Sequence, residues 1–342
     1  MRAVAVGTPW AAPALVELPK PDPAPGELRV RIEYASLNPH DRQLATGATE
    51  GLAQGLATGA TEGLAEGRAP RVFPLVVGVD YAGRVDMIGS GENRFRVGDH
   101  VFGRVGGPAA DGRAVGGTYC EYVCVPQDSA LALIPPGLDA RLAAALPSAG
   151  MAAAQILEAV SPRGHESLLV VGAAGGVGSC LTQLARARDV RVIAAVRGDE
   201  RARMGSLGAV ATIDVTDGPA ADAIRAACPD GVDALADLAS ATREAFGAYA
   251  AALRPGGLAL STRGVAAGAA LPAGVRGVDF RLDPSPVLLD VLAAGAADGI
   301  LRVPIDAELT LEQAPQALDP DRTRAGGARG KTVIVLRRHG PH

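Results

Sequence analysis

The sequence has little of what nucleic-acid-binding, secreted and metal-rich proteins need. Aromatic residues make up only 3% of its 342 residues, so few rings are available to stack on bases. The net charge of −4, with a pI near 5.8, offers no basic surface to a phosphate backbone. The cysteines form no CxxC pair and no metal-ligand cluster, which favours free thiols in a reducing cytoplasm; they are Cys120, Cys124, Cys180 and Cys228.

Targeting and membrane-spanning segments are also missing from the pattern. The first ten residues, MRAVAVGTPW, lack the apolar core of a signal peptide and predict a first strand. The longest weakly charged stretch covers residues 142–160 and includes Pro147, Gln155 and Glu158. We therefore predict a buried alanine-rich helix there, and no contact with a membrane.

The first third of the chain has the pattern of short strands. Residues 27–34 alternate between an apolar set (Leu28, Val30, Ile32, Tyr34) and a charged set (Glu27, Arg29, Arg31, Glu33). This alternation predicts a strand with one buried face and one wet face, as in antiparallel sheets. Further strands are predicted at 82–88, 97–102 and 118–125.

From about residue 167 the pattern changes to strands that alternate with helix-length segments. Strands are predicted at 167–172, 190–196, 209–214, 232–237 and 257–262. This alternation is typical of an α/β fold with a doubly wound parallel sheet. Segments 284–298 and 310–318 are predicted to be helical, and 331–336 to form a last strand that pairs with the first domain.

A tandem repeat interrupts the first domain. Residues 44–55, LATGATEGLAQG, recur at 56–67 as LATGATEGLAEG, and the two copies differ only at Gln54 and Glu66. The repeated glycines oppose an isolated helix, and two short copies are too few for a solenoid. Two interpretations stay open, namely a duplication in a tolerant surface loop and a lid or pocket wall beside an active site.

The most informative segment is LLVVGAAGGVGSCLTQLA, residues 168–185. It predicts a strand, a tight turn and a helix, whose N-terminal N–H groups and dipole favour the phosphates of a dinucleotide. The strict GxGxxG pattern is absent, and an ordinary glycine-rich turn is the alternative. A second strand at the expected distance supports cofactor binding, which we assign to Ala173, Ala174, Gly175, Gly176, Val177 and Gly178.

The end of that second strand indicates which cofactor is bound. An NAD site usually has Asp or Glu here, but this chain has Arg197, followed by Arg201. A guanidinium can hold a 2′-phosphate through two parallel hydrogen bonds, so we predict NADPH. The alternative is that Arg197 is a solvated loop cation, neutralised by Asp199 and Glu200.

Several motifs, taken in order, resemble the medium-chain dehydrogenase/reductase superfamily and its zinc-independent NADPH:quinone oxidoreductase and enoyl reductase branch. They are SLNPHD (36–41), GVDYAGRV (78–85), VGDHVFG (97–103), GGTYCEYVCVP (116–126), AAGGVGS (173–179), GVDALADLAS (231–240), LRPGGLAL (253–260) and GKTVIVL (330–336). The resemblance implies a GroES-like catalytic domain from 1–123 and 265–342, a Rossmann NADPH-binding domain at 124–264, a cleft between them, and a homodimer.

The resemblance also implies roles for single residues. Zinc-dependent relatives place Cys where this chain has Asn38, and Gly-His-Glu where it has Gly78-Val79-Asp80, so no metal is expected. Asn38 would lie near the nicotinamide, and Ser240 would belong to the cofactor site.

The family tyrosine that follows the NPxD motif is replaced here by Gln43. A donor must stabilise negative charge on the acceptor oxygen. His40, Arg42 and Tyr81 are the candidates, His40 first because of its position and because histidine side chains ordinarily titrate near neutral pH. The alternatives are that His40 only bonds the backbone and that Tyr81 only packs. Asp41 is expected to hold the loop, and the alternative is that it acts as a base.

The sequence thus predicts an enzyme that transfers hydride from NADPH to a quinone or to an activated C=C bond, such as an enone. Two other functions stay open. One is an NADPH-binding protein without catalysis, and the other is a tailoring enzyme acting on a bulky natural product.

Overall fold

The computed structural model describes residues 1–8, 11–45, 73–106, 116–162, 164–217, 220–319 and 328–336. Within these ranges the strands, in chain order, are β1 (Arg2–Val6), β2 (Ala14–Glu17), β3 (Glu27–Leu37), β4 (Leu75–Val76), β5 (Asp80–Ile88), β6 (His100–Arg104), β7 (Tyr122–Pro126), β8 (Leu131–Leu133), β9 (Ser167–Val171), β10 (Arg191–Val196), β11 (Ala211–Asp214), β12 (Val232–Asp237), β13 (Leu253–Ser261), β14 (Arg276–Asp279), β15 (Ile305–Thr310) and β16 (Lys331–Val335). The helices are α1 (Pro39–Ala45), α2 (Ala140–Ala145), α3 (Pro147–Val160), α4 (Gly176–Arg186), α5 (Arg201–Leu207), α6 (Ala220–Ala227), α7 (Arg243–Ala250), α8 (Pro286–Ala297) and α9 (Ala314–Ala317), and a 3₁₀ turn spans Leu311–Gln313. None of these helices has both the length and the apolar character needed to cross a membrane.

Six strands form a parallel sheet in the order β11-β10-β9-β12-β13-β14. Its central strand β9 is buried on both faces: Leu168 and Val170 pack in one hydrophobic cluster, Leu169 and Val171 in another. Strands covered on both faces are continuous apolar runs, because helices lie above and below a parallel sheet. The predicted doubly wound α/β sheet is confirmed.

A seven-stranded sheet contains the order β15-β16-β3-β5-β6-β8, and β7 also pairs with β3. The last strand, β16, pairs antiparallel with β3, so that Ile334 lies opposite Ala35. The predicted return of the chain end to the first domain is therefore present. Strands β2, β1 and β4 form a separate small sheet.

The prediction of a wet face on β3 is wrong. Glu27, Arg29 and Glu33 are buried, with exposed fractions of 4%, 9% and 1%. The strand is central in its sheet, and its charged face is covered by ion partners: Arg29 pairs with Asp86 at 2.8 Å and Glu33 with Arg84 at 3.2 Å. Buried charges persist when they are paired in this way.

The two sheets extend further along the chain than the predicted domain limits of 123 and 264. Strand β8 pairs with β6, which carries the first sheet to Leu133, and β14 pairs with β13, which carries the parallel sheet to Asp279.

Helix α3 lies at 147–160, where the alanine-rich segment predicts a buried helix. Residues 46–67 of the tandem repeat lie outside the described residues, so neither interpretation of it is tested.

Candidate active site

The turn between β9 and α4 is built to let another molecule approach its backbone. Gly172 has a φ of +79°, and no side chain caps the N-terminus of α4 at Gly175. A Cβ added at Gly178 would lie 2.5 Å from the Cα of Ala173, so only glycine lets the helix sit this close to the turn. The uncapped N–H groups suit the pyrophosphate of a dinucleotide, and the residues present fit such a cofactor.

The predicted contacts Ala173 and Ala174 are buried in this turn, whereas Gly175, Gly176 and Val177 are half-buried along its rim. The loop after β12 lies beside the turn, because a Cβ on Gly172 would be 3.2 Å from Cβ of Ala239. Ser240 belongs to that loop, and its backbone N–H donates to Asp237 at 2.9 Å.

Arg197 and Arg201 are exposed, and neither shows a side-chain bond to the turn among the described residues. A third arginine, which the sequence analysis missed, reaches it instead. Nη2 of Arg203 donates to the carbonyl oxygen of Ala174 at 2.9 Å, and Nη1 is buried without a partner among the described atoms. Its place in the sequence could have indicated this role, because Arg203 lies on α5 only two residues after Arg201.

Glu200 is 5% exposed, and both of its carboxylate oxygens are taken by arginines. Oε2 lies 2.7 Å from Nε of Arg203, and Oε1 lies 2.5 Å from Nε of Arg329. Glu200, four residues beyond the end of β10, thus has both of its oxygens engaged in ion pairs.

A buried polar cluster lies where the first strands approach α3. The carboxylate of Asp80, fully buried, accepts from Nδ2 of Asn38 at 2.9 Å, from Oγ of Ser36 at 3.2 Å and from Oγ of Ser148 at 2.7 Å. Ser148 is the second residue of α3, and its backbone N–H also points at this carboxylate. A helix N-terminus stabilises an anion placed there.

Lys331, at the start of β16, completes this cluster. Its Nζ donates to Oδ1 of Asn38 at 2.6 Å and to the carbonyl oxygen of Leu37 at 3.0 Å, and lies 3.6 Å from Asp80. Burial lowers the pKa of the Lys331 ammonium, while the charge of Asp80 opposes that shift. In the sequence, Lys331 is only one residue of the GKTVIVL motif, and nothing there predicts a role for it.

Asp41 holds the loop that begins at Asn38, as predicted. Its Oδ2 accepts from the backbone N–H of Asn38 at 2.7 Å and from the hydroxyl of Tyr119 at 2.8 Å. Complete burial raises the pKa of Asp41 to about 7, and the nearby charge of Asp80 adds to the rise.

The other predicted donors lie in different surroundings. His40 is half-buried on α1, and Arg42 on the same helix donates from Nε to the carbonyl oxygen of Ala317 at 3.0 Å. Gln43, at the family tyrosine position, is exposed. Tyr81 is fully buried in the apolar core of the first sheet, where its hydroxyl has no partner among the described residues. The structure therefore places Asn38, His40 and Arg42 on one segment and does not bring Tyr81 to them.

No group of three or more His, Cys, Asp or Glu side chains that could hold a metal occurs in the ranges the structure describes. Asn38 and Asp80, two of the positions where the sequence resemblance excludes zinc ligands, instead lie beside the ammonium of Lys331.

Family models match both halves of the chain. Residues 24–136 match the alcohol dehydrogenase GroES-like domain, and residues 176–274 match the zinc-binding dehydrogenase domain. The first range contains strands β3 and β5–β8 of the seven-stranded sheet, and the second contains strands β10–β13 of the parallel sheet.

Named relatives agree with the family models. A chloroplastic quinone-oxidoreductase homolog of Spinacia oleracea is 32% identical over 205 residues, 58% of this chain and 55% of that protein. The chain thus spans about half the length of that relative. The acrylyl-CoA reductase AcuI of Ruegeria pomeroyi is 32% identical over 276 residues, 77% of this chain and 72% of that protein. A mycobacterial structure complexed with NADPH is 25% identical, with a TM-score of 0.74, covering 98% of this chain and 100% of that one.

The matching domains, the order of the strands and the glycine-rich turn define a two-domain dehydrogenase or reductase fold. The chain belongs to the medium-chain dehydrogenase/reductase superfamily, in the branch that contains the quinone oxidoreductases.

Proposed function

We propose that this protein is an oxidoreductase that transfers hydride from NADPH to a small molecule, either a quinone or an activated C=C bond of the enone or enoyl type. The observation that carries the proposal is the open, uncapped N-terminus of α4, which lies against Lys331 and therefore beside the cluster of Asn38 and Asp80. The names of the relatives, quinone-oxidoreductase homolog and acrylyl-CoA reductase, support both acceptor classes.

When bound, the nicotinamide would supply the hydride. The chain's own residues would bind the pyrophosphate at Gly176 and Val177, where no side chain caps the helix N-terminus. The N–H of Gly175 itself donates to the carbonyl oxygen of Gly172 at 3.1 Å. They would also orient the acceptor against the loop that begins at Asn38, and the buried Asp80 cluster would hold that loop in one conformation.

We assign the preference for NADPH over NADH to the basic side chains beyond β10. Glu200 cannot serve freely as the acceptor of a ribose hydroxyl, because Arg203 and Arg329 already bind both of its oxygens. Arg197 and Arg201 are exposed at the edge where the adenosine 2′-phosphate would lie.

The preference is tested by measuring Kd for both cofactors in the wild type and in Arg197→Ala. We expect the ratio of NADH Kd to NADPH Kd to fall at least about tenfold, since a lost charged hydrogen bond costs about 1.5–3 kcal/mol. Arg225→Ala, an exposed arginine on α6 paired only with Asp222 in the described chain, is the matched control. An unchanged ratio in Arg197→Ala removes this residue from the site.

We propose that His40 is the residue that donates a hydrogen bond or a proton to the oxygen of the hydride acceptor. Its half-buried position on α1, two residues after Asn38, supports this role. His40→Asn should lower kcat more than about tenfold, because general acid catalysis contributes about 10²–10⁴-fold. His165→Asn is the control, since His165 is exposed and its φ of +70° is tolerated by Asn. A kcat within about twofold of wild type would argue against His40.

The activity itself is tested by mixing the protein and NADPH with quinones, enones and enoyl thioesters while following nicotinamide absorbance. Turnover of a quinone or an enone supports the proposal and tells the two classes apart. Cofactor binding without turnover of any acceptor would overturn it and favour a binding protein or a tailoring enzyme.

We further propose a cytoplasmic homodimer. All four cysteines are free thiols, which suits a reducing compartment. Strand β14 forms one edge of the parallel sheet, where a second copy could add its own strand. Light scattering that gives the mass of a monomer would reject the dimer.

A further inference from the structure

Lysine is rare in this protein, and one lysine is buried. Only Lys20 and Lys331 occur among 33 basic residues, the remainder being arginine. Lys20 is a surface residue that pairs with Asp86 at 3.0 Å, whereas Lys331 is 5% exposed. An ammonium is a compact charge that fits between closely spaced oxygens, and a planar guanidinium does not replace it there.

The ammonium of Lys331 determines which way the Asn38 carboxamide points. Oδ1 accepts from Nζ at 2.6 Å, while Nδ2 donates to Asp80 at 2.9 Å and to the carbonyl oxygen of Ser36 at 3.3 Å. A flipped carboxamide would set its NH₂ group against the ammonium and its oxygen against the carboxylate. Both contacts would be repulsive, so the observed orientation is the only stable one.

The stem of the same side chain lies against the dinucleotide turn. A Cβ added to Gly176 would come within 2.6 Å of Cδ and 2.9 Å of Cγ of Lys331. Gly176 is the first residue of α4, whose N-terminus would hold the pyrophosphate. One side chain thus contacts the cofactor-binding turn with its methylenes and the Asn38 loop with its charge.

We propose that Lys331 is a positioning residue that couples the dinucleotide-binding turn to the orientation of the Asn38 carboxamide beside the nicotinamide. The inference rests on the proposed function. Lys331 touches neither cofactor nor substrate in this role, and it acts through Asn38. The ammonium supplies the positive charge that holds the loop at Leu37 and Asn38.

The first test compares Lys331→Met with Lys20→Met. Methionine keeps an unbranched stem against Gly176 and removes the charge together with the N–H donors that bond Asn38 and Leu37. We expect kcat to fall between about tenfold and a hundredfold, the cost of a misplaced group, with the Kd for NADPH changed less than about threefold. Lys20→Met should leave both unchanged. An unchanged kcat in Lys331→Met overturns the proposal.

A second variant separates positioning from simple neutralisation of Asp80. Asp80→Asn/Lys331→Met removes both charges and leaves no unpaired buried ion, so its thermal midpoint should recover towards wild type. If Lys331 positions Asn38, kcat should stay low in the double variant. Recovery of kcat to within about twofold of wild type would mean that Lys331 only neutralises a buried carboxylate, and would overturn the proposal.

The third test needs neither a variant nor turnover. Protein labelled with ¹³C at lysine Cε gives one signal for Lys331 and one for Lys20, which serves as an internal reference. Saturating NADPH should shift the Lys331 signal and leave the Lys20 signal in place. Cofactor binding detected by fluorescence with no shift at Lys331 overturns the coupling. A shift of the Lys331 signal without turnover of any acceptor would instead refute the proposed reductase function and would still support the coupling.

Discussion

Replacing Asp41 by Asn changes how the stability of the fold depends on pH. Asp41 is fully buried, and its Oδ2 accepts from Asn38 and Tyr119, while Oδ1 has no partner among the described residues. Burial raises the pKa of this carboxyl from 3.8 to about 7. The folded protein therefore holds a proton that the unfolded chain releases at much lower pH.

The direction of the effect follows from proton counting. Below pH about 4 both states are protonated at Asp41, so the group contributes no pH dependence. Between pH about 4 and about 7 the unfolded chain binds fewer protons than the fold, so stability falls as pH rises, by about 1.4 kcal/mol per unit. The accumulated cost is about 4 kcal/mol by pH about 7, and it stays constant above that.

Urea unfolding of wild type and Asp41→Asn between pH about 5 and about 8 measures this cost. The free energy of unfolding of the variant minus that of wild type should rise by about 1.4 kcal/mol per unit up to pH about 7, then level off. The amide adds a donor without a partner, which costs about 1–3 kcal/mol at every pH, so the slope rather than the offset is the readout. The exposed Asp290→Asn on α8 should give a flat difference. A flat or falling difference for Asp41→Asn would refute the reasoning.

Three further substitutions test the packing of the site. Gly178→Ala should raise the Kd for NADPH at least about tenfold, because its Cβ would meet backbone at 2.5 Å. The same overpacking should cost about 1–3 kcal/mol of stability, measured by thermal unfolding. The control is Gly205→Ala on α5, whose Cβ would have nothing within 4 Å and which should stabilise the fold by about 0.5–1 kcal/mol in that assay. Tyr81→Phe removes a buried hydroxyl without a partner in the described chain, so stability should stay equal or rise by about 1 kcal/mol and kcat should not change; a large loss of kcat would return Tyr81 to the site. Ser148→Ala removes a 2.7 Å hydrogen bond to a buried carboxylate and should lower the free energy of unfolding by about 1.5–3 kcal/mol; an unchanged midpoint would show that the backbone N–H suffices.

The parallel sheet could be predicted from the sequence because its signals are local. Each strand is a short apolar run, and β9 carries side chains for two cores in its own five residues. The glycines of the turn are also a local signal, since Gly178 is required by atoms only a few residues away. For this reason the fold class and the strand, turn and helix at 168–185 can be predicted from the sequence alone.

What could not be predicted depends on contacts between distant segments. The sequence predicts that the charged face of β3 is exposed to solvent. In the structure Arg84 and Asp86 of the neighbouring strand β5 pair with that face and help to bury it. Lys331 looks like any strand-initiating lysine until its partner Asn38 is known. Tyr81 carries a hydroxyl that can donate, but its side chain packs in the apolar core of the first sheet.

The bond between Lys331 and Asn38 joins residues 293 positions apart, and it bears on how the protein is made. Strand β16 lies between β15 and β3, so the first sheet is incomplete until this late segment has been synthesised. On a ribosome, the parallel sheet up to Asp279 has all of its strands available while Asn38 still lacks its cation. The turn between β9 and α4 can therefore form before β16 has been synthesised, whereas the bond between Lys331 and Asn38 has to wait for that last strand.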